Sequence, residues 1–270
     1  MIDPAQPDYA DSPASTSRPQ FGYAPADVGA RPAVSIVTPF YNTGAIFHET
    51  AQSVLQQSLQ QLEWIIVNDG STDPDALAVL DAYRGRDPRV RVIDHPENKG
   101  LSAARNTGYA AATSDVVLQL DSDDLIEPTA AEKWLWYLAA HPEHAFVKGY
   151  SVVFGARQRL LANTFELRAQ FLTGNCVNPT ALLRRHVHQA VGGYDEQIRD
   201  GLEDWEFWLR CANGGYWGGG VPEYLEWKRS RPDPGDRWAN LRSKERGQAM
   251  HRLVRRRYPR LWQKDGFPHS

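Results

Sequence analysis

Residues 34–42 read VSIVTPFYN: a run of Val and Ile that ends at Thr38-Pro39 and turns polar at Tyr41 and Asn42. Branched apolar residues without polar alternation suit a strand covered on both faces. Moving outward, the same pattern recurs. VSIVT precedes GAIFHETAQSVLQQ, EWIIV precedes DPDALAVLDAYRG, RVRVID precedes GLSAARNTGYAAA, and VVLQL closes the series. Short apolar runs alternating with longer helical segments predict repeated βα units, hence an α/β fold with a parallel sheet and helices on both faces. Asp73 before Pro74 predicts one helix start, and Thr43 is a candidate cap for another.

After Glu127 the pattern loosens. PTAAEKWLWYLAAH predicts a helix, AFVKGYSVVFG a strand pair or one long strand, and DWEFWLRCANGG an amphipathic helix closed by Asn213 and Gly214. Before Val34, six prolines stand among Ala, Ser and Asp, a composition that cannot bury enough apolar surface to order itself. The organisation expected is a disordered leader over 1–33, a domain over 34–230 with a nucleotide-binding half (34–127) and an acceptor half (128–230), and a helical extension over 231–270.

With 270 residues, 41% of them hydrophobic, the chain has material for one large core. It contains nothing near the ~20 consecutive apolar residues of a membrane helix, and its start lacks a signal-peptide pattern, so the cytoplasm is the expected location. Cys176 and Cys211 lack metal-ligand spacing and read as core residues. A net charge of -3 gives no reason to expect nucleic acid as a partner. The basic run HRLVRRRYPRLW reads as a solvated helix face. Its alternative is peripheral contact with an anionic membrane at the inner face, with Leu253, Val254, Leu261 and Trp262 on the apolar side.

In open α/β sheets ligands bind beyond the carboxyl ends of the strands. Those ends read PFYN, NDGSTD, HPENKG and DSDD. No GxGxxG follows the first strand and no GxxxxGK[ST] occurs, which disfavours a dinucleotide dehydrogenase and a P-loop NTPase. Phosphates then need another anchor, and a divalent cation held by carboxylates supplies it. Asp121 and Asp123 of LQLDSDD are the candidate ligands, with Mg2+ or Mn2+ as the ion. Leu125 and Ile126 exclude an EF-hand loop. Asp124 reads as a cap for the helix beginning near Pro128. Three neighbouring carboxylates should repel one another, so something must hold them together.

VSIVTPFYN, EWIIVNDGSTD, ENKGLSAARN, LQLDSDD and GLEDWEFWLR, in this order over roughly Val34 to Glu226, resemble the inverting family-2 glycosyltransferases with the GT-A fold. The resemblance implies that Thr38, Pro39 and Tyr41 line the nucleotide base and that Asp69 accepts from the base N–H. Uracil offers a donor at N3 and cytosine does not, which points to a UDP-sugar. Asn68 stands where the family more often has a second aspartate. Gly100 would open a helix whose N–H groups face an anion, with Lys99 and Arg105 as diphosphate or base contacts. Asp123 takes the metal by this likeness, and Asp121 the ribose or metal-bound waters. Asp204 matches the catalytic base of a single displacement, with Glu203 the next candidate, and an ordinary pKa of about 3.9 is expected.

Trp205 is a candidate floor for a sugar ring, while Phe207 and Trp208 are expected in the core. The Arg and His found in many relatives after PEYLEWKRS are replaced here by Lys228 and Ser230, leaving Lys228 or Arg229 to act on the diphosphate. The implied partners are a nucleotide-sugar donor and a glycan or lipid-linked acceptor in cell-surface polysaccharide synthesis, the chain being a candidate module of a larger glycosyltransferase. Acceptor contacts are expected from residues 154–180 and the C-terminal segment. The alternatives are a nucleotidyltransferase, which lacks its basic glycine-rich loop here, and a sugar-nucleotide-binding module without turnover, against which the Glu203-Asp204 pair argues.

Overall fold

The computed structural model describes residues 31–199, 201–231, 244–263 and 266–268. Of the leader expected over 1–33, residues 1–30 lie outside them. Its last residues are tied to the domain, for Arg31 pairs with Asp115 and the Ala33 N–H donates to Gln61 O.

The βα series forms as read: β1 (Val34–Phe40), α1 (Phe47–Leu55), β2 (Leu62–Asn68), α2 (Pro74–Asp81), β3 (Val90–Asp94), α3 (Leu101–Ala111) and β4 (Val116–Gln119). β5 (Leu125–Ile126), α4 (Ala130–Ala140), β6 (Phe146–Gly155), β7 (Arg159–Leu161) and α5 (Arg168–Phe171) follow. The chain continues through β8 (Leu182–Arg184), α6 (Arg185–Ala190), α7 (Glu203–Asn213), β9 (Gly218–Ser230) and α8 (Lys244–Arg257). AFVKGYSVVFG is therefore one long strand, β6.

One sheet runs through both halves in the order β3-β2-β1-β4-β8-β6-β9-β5, with β7 on β6. Its first four strands are parallel; β8 is antiparallel to both β4 and β6, β9 runs parallel to β6, and β5 antiparallel to β9. The order reverses at β1, which has β2 on one side and β4 on the other. A crevice opens beyond the carboxyl ends of strands at such a reversal. Tyr41 follows β1 there and the acidic cluster follows β4.

Both sheet faces are covered, which explains the absence of alternation in the sequence. Val34, Ile36, Phe40, Trp64 and Ile66 belong to one apolar cluster with α1 and α4, while Val37, Ile65 and Val67 belong to the other with α3 and α7. Gly108 on α3 faces Val37 so closely that a Cβ would lie 2.2 Å from Val37 Cγ1. Asp73 caps α2 by accepting from the Asp75 N–H.

Two expected caps are absent. Thr43 makes no side-chain cap; its hydroxyl meets Ser122 Oγ at 2.6 Å. Asp124 caps no helix either. Its carboxylate accepts the Arg229 N–H at 2.7 Å, tying the turn after β4 to the end of β9, because β5 intervenes before α4.

The apolar side of the C-terminal segment is spent on the protein itself. Val254, Tyr258 and Leu261 are buried in the cluster that contains Trp205, Trp208 and Trp217, with Trp262 packed against it. The reading of Val254, Leu261 and Trp262 as a membrane-facing surface is corrected accordingly; Leu253 is half-buried outside that cluster, and the exposed residues include Arg252, Arg255, Arg256 and Arg257. Among the described residues no helix is long and apolar enough to cross a membrane.

Candidate active site

The crevice begins with the three aspartates after β4. Each faces its own cation: Asp121 pairs with Arg105 at 2.9 Å, Asp123 with Arg231 at 2.9 Å, and Asp124 lies 3.7 Å from Lys228 Nζ. Burial opposes ionisation of Asp121, but Arg105 and Lys228 outweigh it and hold the carboxyl below its ordinary range. Asp124 goes the opposite way, pushed well up by burial and by its acidic neighbours. Burial would lower the Lys228 ammonium, yet the surrounding carboxylates raise it.

A divalent cation fits this cluster by chemistry. Asp121 and Asp123 keep 20% and 29% of their side-chain surface, and Asp124 Oδ2 is buried without a hydrogen-bond partner. Hard carboxylate oxygens suit Mg2+ or Mn2+. Such an ion must compete with Arg231 for Asp123 Oδ2. Arg229 commits its Nε to the Asp123 carbonyl and its Nη2 to Glu49, with the Phe154 ring 4.5 Å from its Cζ, and so is turned from a diphosphate. Lys228 is the remaining candidate.

The donor-side residues divide. Thr38 Oγ1 accepts from Trp64 Nε1 inside the core, and Pro39 is buried, so only Tyr41 of that trio is partly exposed. Asp69 is 3% exposed. Its oxygens accept from the Lys99 N–H at 2.9 Å and the Gly100 N–H at 2.8 Å, and His95 Nδ1 lies 2.7 Å away. The expectation that Gly100 serves a ligand anion is thus corrected for its own N–H, which is taken by Asp69. Gly70 is required beside it: its φ is +67, and a Cβ would lie 2.4 Å from Glu97 backbone. The Lys99 side chain is exposed.

Arg105 is corrected too. It is 0% exposed and bridges Glu203 at 2.6 Å to Asp121, with its Cζ 5.2 Å from the Tyr194 ring centre. A guanidinium so enclosed holds the two halves together and does not face a diphosphate. Glu203, its partner, is correspondingly committed to the ion pair.

Asp204 opens elsewhere. The chain enters α7 through Gly201 and Leu202 at φ of 85 and 64, the latter a left-handed conformation that costs a non-glycine residue about 1–2 kcal/mol. Asp204 Oδ1 then accepts its own helix's Trp205 N–H, and Oδ2 accepts from Asn175 Nδ2 at 2.9 Å. Burial, reinforced by the Glu203 charge, raises its pKa to about 6 in place of the ordinary value expected from sequence. Trp205 forms no sugar floor. It is 2% exposed and its Nε1 donates to Phe171 O.

Asp204 borders a cavity of about 270 Å3, whose polar lining includes Lys148, Ser151, Asn175, Asn178 and Lys228. Lys148 and Glu226, both almost wholly buried, pair at 3.1 Å with Ser151 between them, and Asn178 donates to Glu226. The Oδ1 atoms of Asn175 and Asn178 are buried without partners. Asn175 and Asn178 fall in the stretch 154–180 from which acceptor contacts are expected; sequence reading misses Lys148, Ser151 and Glu226, for which the one available signal is a lysine inside the apolar start of β6.

A nucleotide-type half with an acidic switch-point crevice, joined through the same sheet to a mixed half carrying a buried carboxylate, defines the GT-A glycosyltransferase fold. The chain belongs to Glycosyl transferase family 2, whose family model matches residues 35–192. α7 lies beyond that span. EpsE of Bacillus subtilis (strain 168), named as a glycosyltransferase, is 30% identical over 200 residues, 72% of each chain. S. aureus TarS in complex with UDP-GlcNAc has a similar fold, with a TM-score of 0.71 at 19% identity over 86% of this chain and 68% of that one. The Pyrobaculum calidifontis mannosyltransferase PcManGT, in complex with GDP-Man and Mn2+, gives 0.60 at 19% identity over 92% and 69%. Among the first curated relatives the matched segments span only 20% to 33% of those proteins' length.

Proposed function

We propose that the chain is an inverting glycosyltransferase that moves a sugar from a UDP-sugar to a hydroxyl of a glycan or lipid-linked acceptor in surface polysaccharide synthesis. The observation that carries this reading is Asp204, a carboxylate of raised pKa at the start of α7, bordering a polar cavity. A base whose pKa approaches the working pH combines a large ionised fraction with real proton affinity. In a single displacement the acceptor hydroxyl attacks the anomeric carbon, Asp204 takes its proton, and the bond to the nucleoside diphosphate breaks on the opposite face. Asn175 holds Oδ2 of the base in place, and the unpartnered Oδ1 atoms of Asn175 and Asn178 are acceptors suited to sugar hydroxyls.

On the donor side, Asp123 and Asp121 would hold Mg2+ or Mn2+, and Asp69 retains lone pairs for a uracil N–H. The bound ion would supply charge neutralisation for the departing diphosphate. Lys228, beside the same carboxylates, would add a second positive charge. A lipid-linked acceptor would meet the basic outer face of α8 through charge alone.

The test is UDP release by the purified chain from a panel of UDP-sugars with candidate acceptors, with and without EDTA. The expected result is turnover of one donor, abolished by EDTA and in Asp123→Asn. Turnover insensitive to both sinks the metal assignment, and turnover of a GDP- or dTDP-sugar, assayed in parallel, with none of any UDP-sugar sinks the UDP assignment.

A further inference from the structure

The turn from α4 into β6 reads His141-Pro142-Glu143-His144 and lies away from the acidic crevice. Phe146, at the start of β6, pairs with Gly218, and Val153 pairs with Lys228 beside the crevice. The seven intervening steps separate the two regions by about 23 Å at a strand rise of ~3.3 Å.

His141 Nδ1 lies 3.0 Å from Glu143 Oε1, and His144 Nδ1 lies 3.9 Å from the same oxygen. One ligand atom from each of the three residues falls within 4.8 Å of the others, and among the described residues this is the one group of His, Cys, Asp and Glu that does so. The donor set differs from that of the crevice. Two imidazoles and a carboxylate suit a borderline cation such as Zn2+, whose sites with three protein ligands leave a fourth position to water.

The backbone of the turn is fixed independently. Arg184 donates through Nε to His144 O at 2.9 Å and through Nη2 to Leu138 O at 2.7 Å and His141 O at 3.3 Å. The rings are ordered as well. Tyr137 stacks on His141 at 4.3 Å and lies parallel to His144 at 5.7 Å, with its hydroxyl 3.0 Å from His144 Nδ1. Gly219 on β9 leaves the space, since a Cβ there would lie 2.0 Å from the Tyr137 hydroxyl and 2.8 Å from the His144 ring. His144 keeps 13% of its side-chain surface, while His141 and Glu143 keep 42% and 47%, so one side is open for an ion to enter.

We propose that His141, Glu143 and His144 form a second metal site, for Zn2+ or a similar borderline divalent ion, that clamps the end of α4 to the start of β6. A bound ion replaces the hydrogen bond between His141 and Glu143 and draws the Nδ1 lone pair of His144 from the Tyr137 hydroxyl. Its ligands share no residue with the carboxylates assigned to the transfer reaction, so the proposal stands whether or not that assignment does.

The experiment is calorimetric titration of the EDTA-treated full chain with ZnCl2, alongside Asp123→Asn and the double variant His141→Gln/His144→Gln. Circular dichroism verifies that each is folded. With Mg2+ in excess to occupy the carboxylates after β4, the expected result is one saturable Zn2+ per chain in the wild type and in Asp123→Asn, weaker by about tenfold or more in the double variant. Co2+ should give the visible absorption of a four-coordinate site in the first two proteins alone. Zn2+ should raise the melting temperature of the wild type and leave that of the double variant unchanged. Absence of saturable binding overturns the proposal, as does binding of wild-type affinity in the double variant or its loss in Asp123→Asn.

Discussion

A carboxyl group that takes a proton from a sugar hydroxyl gains from a pKa near the working pH, and the environment of Asp204 raises its pKa to about 6. The same burial carries a stability penalty. The unfolded group ionises near 3.8 and the folded one near 6, so above pH 6 folding must keep a charge where the protein disfavours it. The penalty is at most about 3 kcal/mol, from roughly two pKa units, and it fades as the pH falls from 6 toward 4. Asp204→Asn is therefore expected to melt at a higher temperature than the wild type at pH 7.5, with the gap narrowing toward pH 4 in thermal scans. An equal melting temperature at both pH values would mean that the carboxylate is not destabilised. The residue's position could be read from GLEDWEFW, but its pKa could not, since that depends on burial and on the adjacent Glu203. The burial of Trp205, read from sequence as a sugar floor, is illegible for a related reason. Nearly every residue of α7 is buried, so spacing along the helix does not separate a core face from a ligand face.

Arg105 connects elements that are distant in sequence: it lies on α3, Asp121 follows β4 and Glu203 opens α7. Removing it leaves the buried Glu203 without its counter-charge and Asp121 with Lys228 alone. Arg105→Met is expected to destabilise the fold by about 3–5 kcal/mol in denaturant titration. A loss below about 1 kcal/mol would show the bridge to be marginal. The loop after β2 is a second such junction. Asp69→Ala removes the acceptor for two backbone N–H groups and the partner of His95, so a loss of about 1–3 kcal/mol should accompany weaker UDP binding. Unchanged stability would return Asp69 to a purely ligand-facing role. The strands and helices themselves were legible, because unbroken Val and Ile runs and the Asp73-Pro74 start carry local signals. The partners of Arg105 and Asp124 were not, since ion pairs across more than fifteen residues follow from packing that no short motif encodes.

The sheet spans both halves and α8 seals the far side of α7, so the acidic crevice and the polar cavity beside Asp204 belong to one framework. Val254, at 0% exposure, is the keystone of that seal. Val254→Asp would bury an unpaired carboxylate and should lower the melting temperature by several degrees. An unchanged melting temperature would mean that the helix contributes little to the fold. The sequence displayed the apolar stripe of α8 without its destination, and a membrane would satisfy such a stripe as well as a protein core. The repulsion within LQLDSDD is resolved at this scale as well, by cations from α3, from β9 and from the residue just after β9 that converge on the turn.

The most direct test of the transfer reading is the pH dependence of UDP release by the wild type and by Asp204→Asn, from about pH 5 to 8, with UDP affinity measured by calorimetry on both. The account predicts a wild-type kcat/KM that falls on the acid side near pH 6, and a variant that binds UDP as tightly while its turnover drops by about 10²–10⁴-fold. Turnover by Asp204→Asn at the wild-type rate, or loss of UDP binding together with activity, would contradict it.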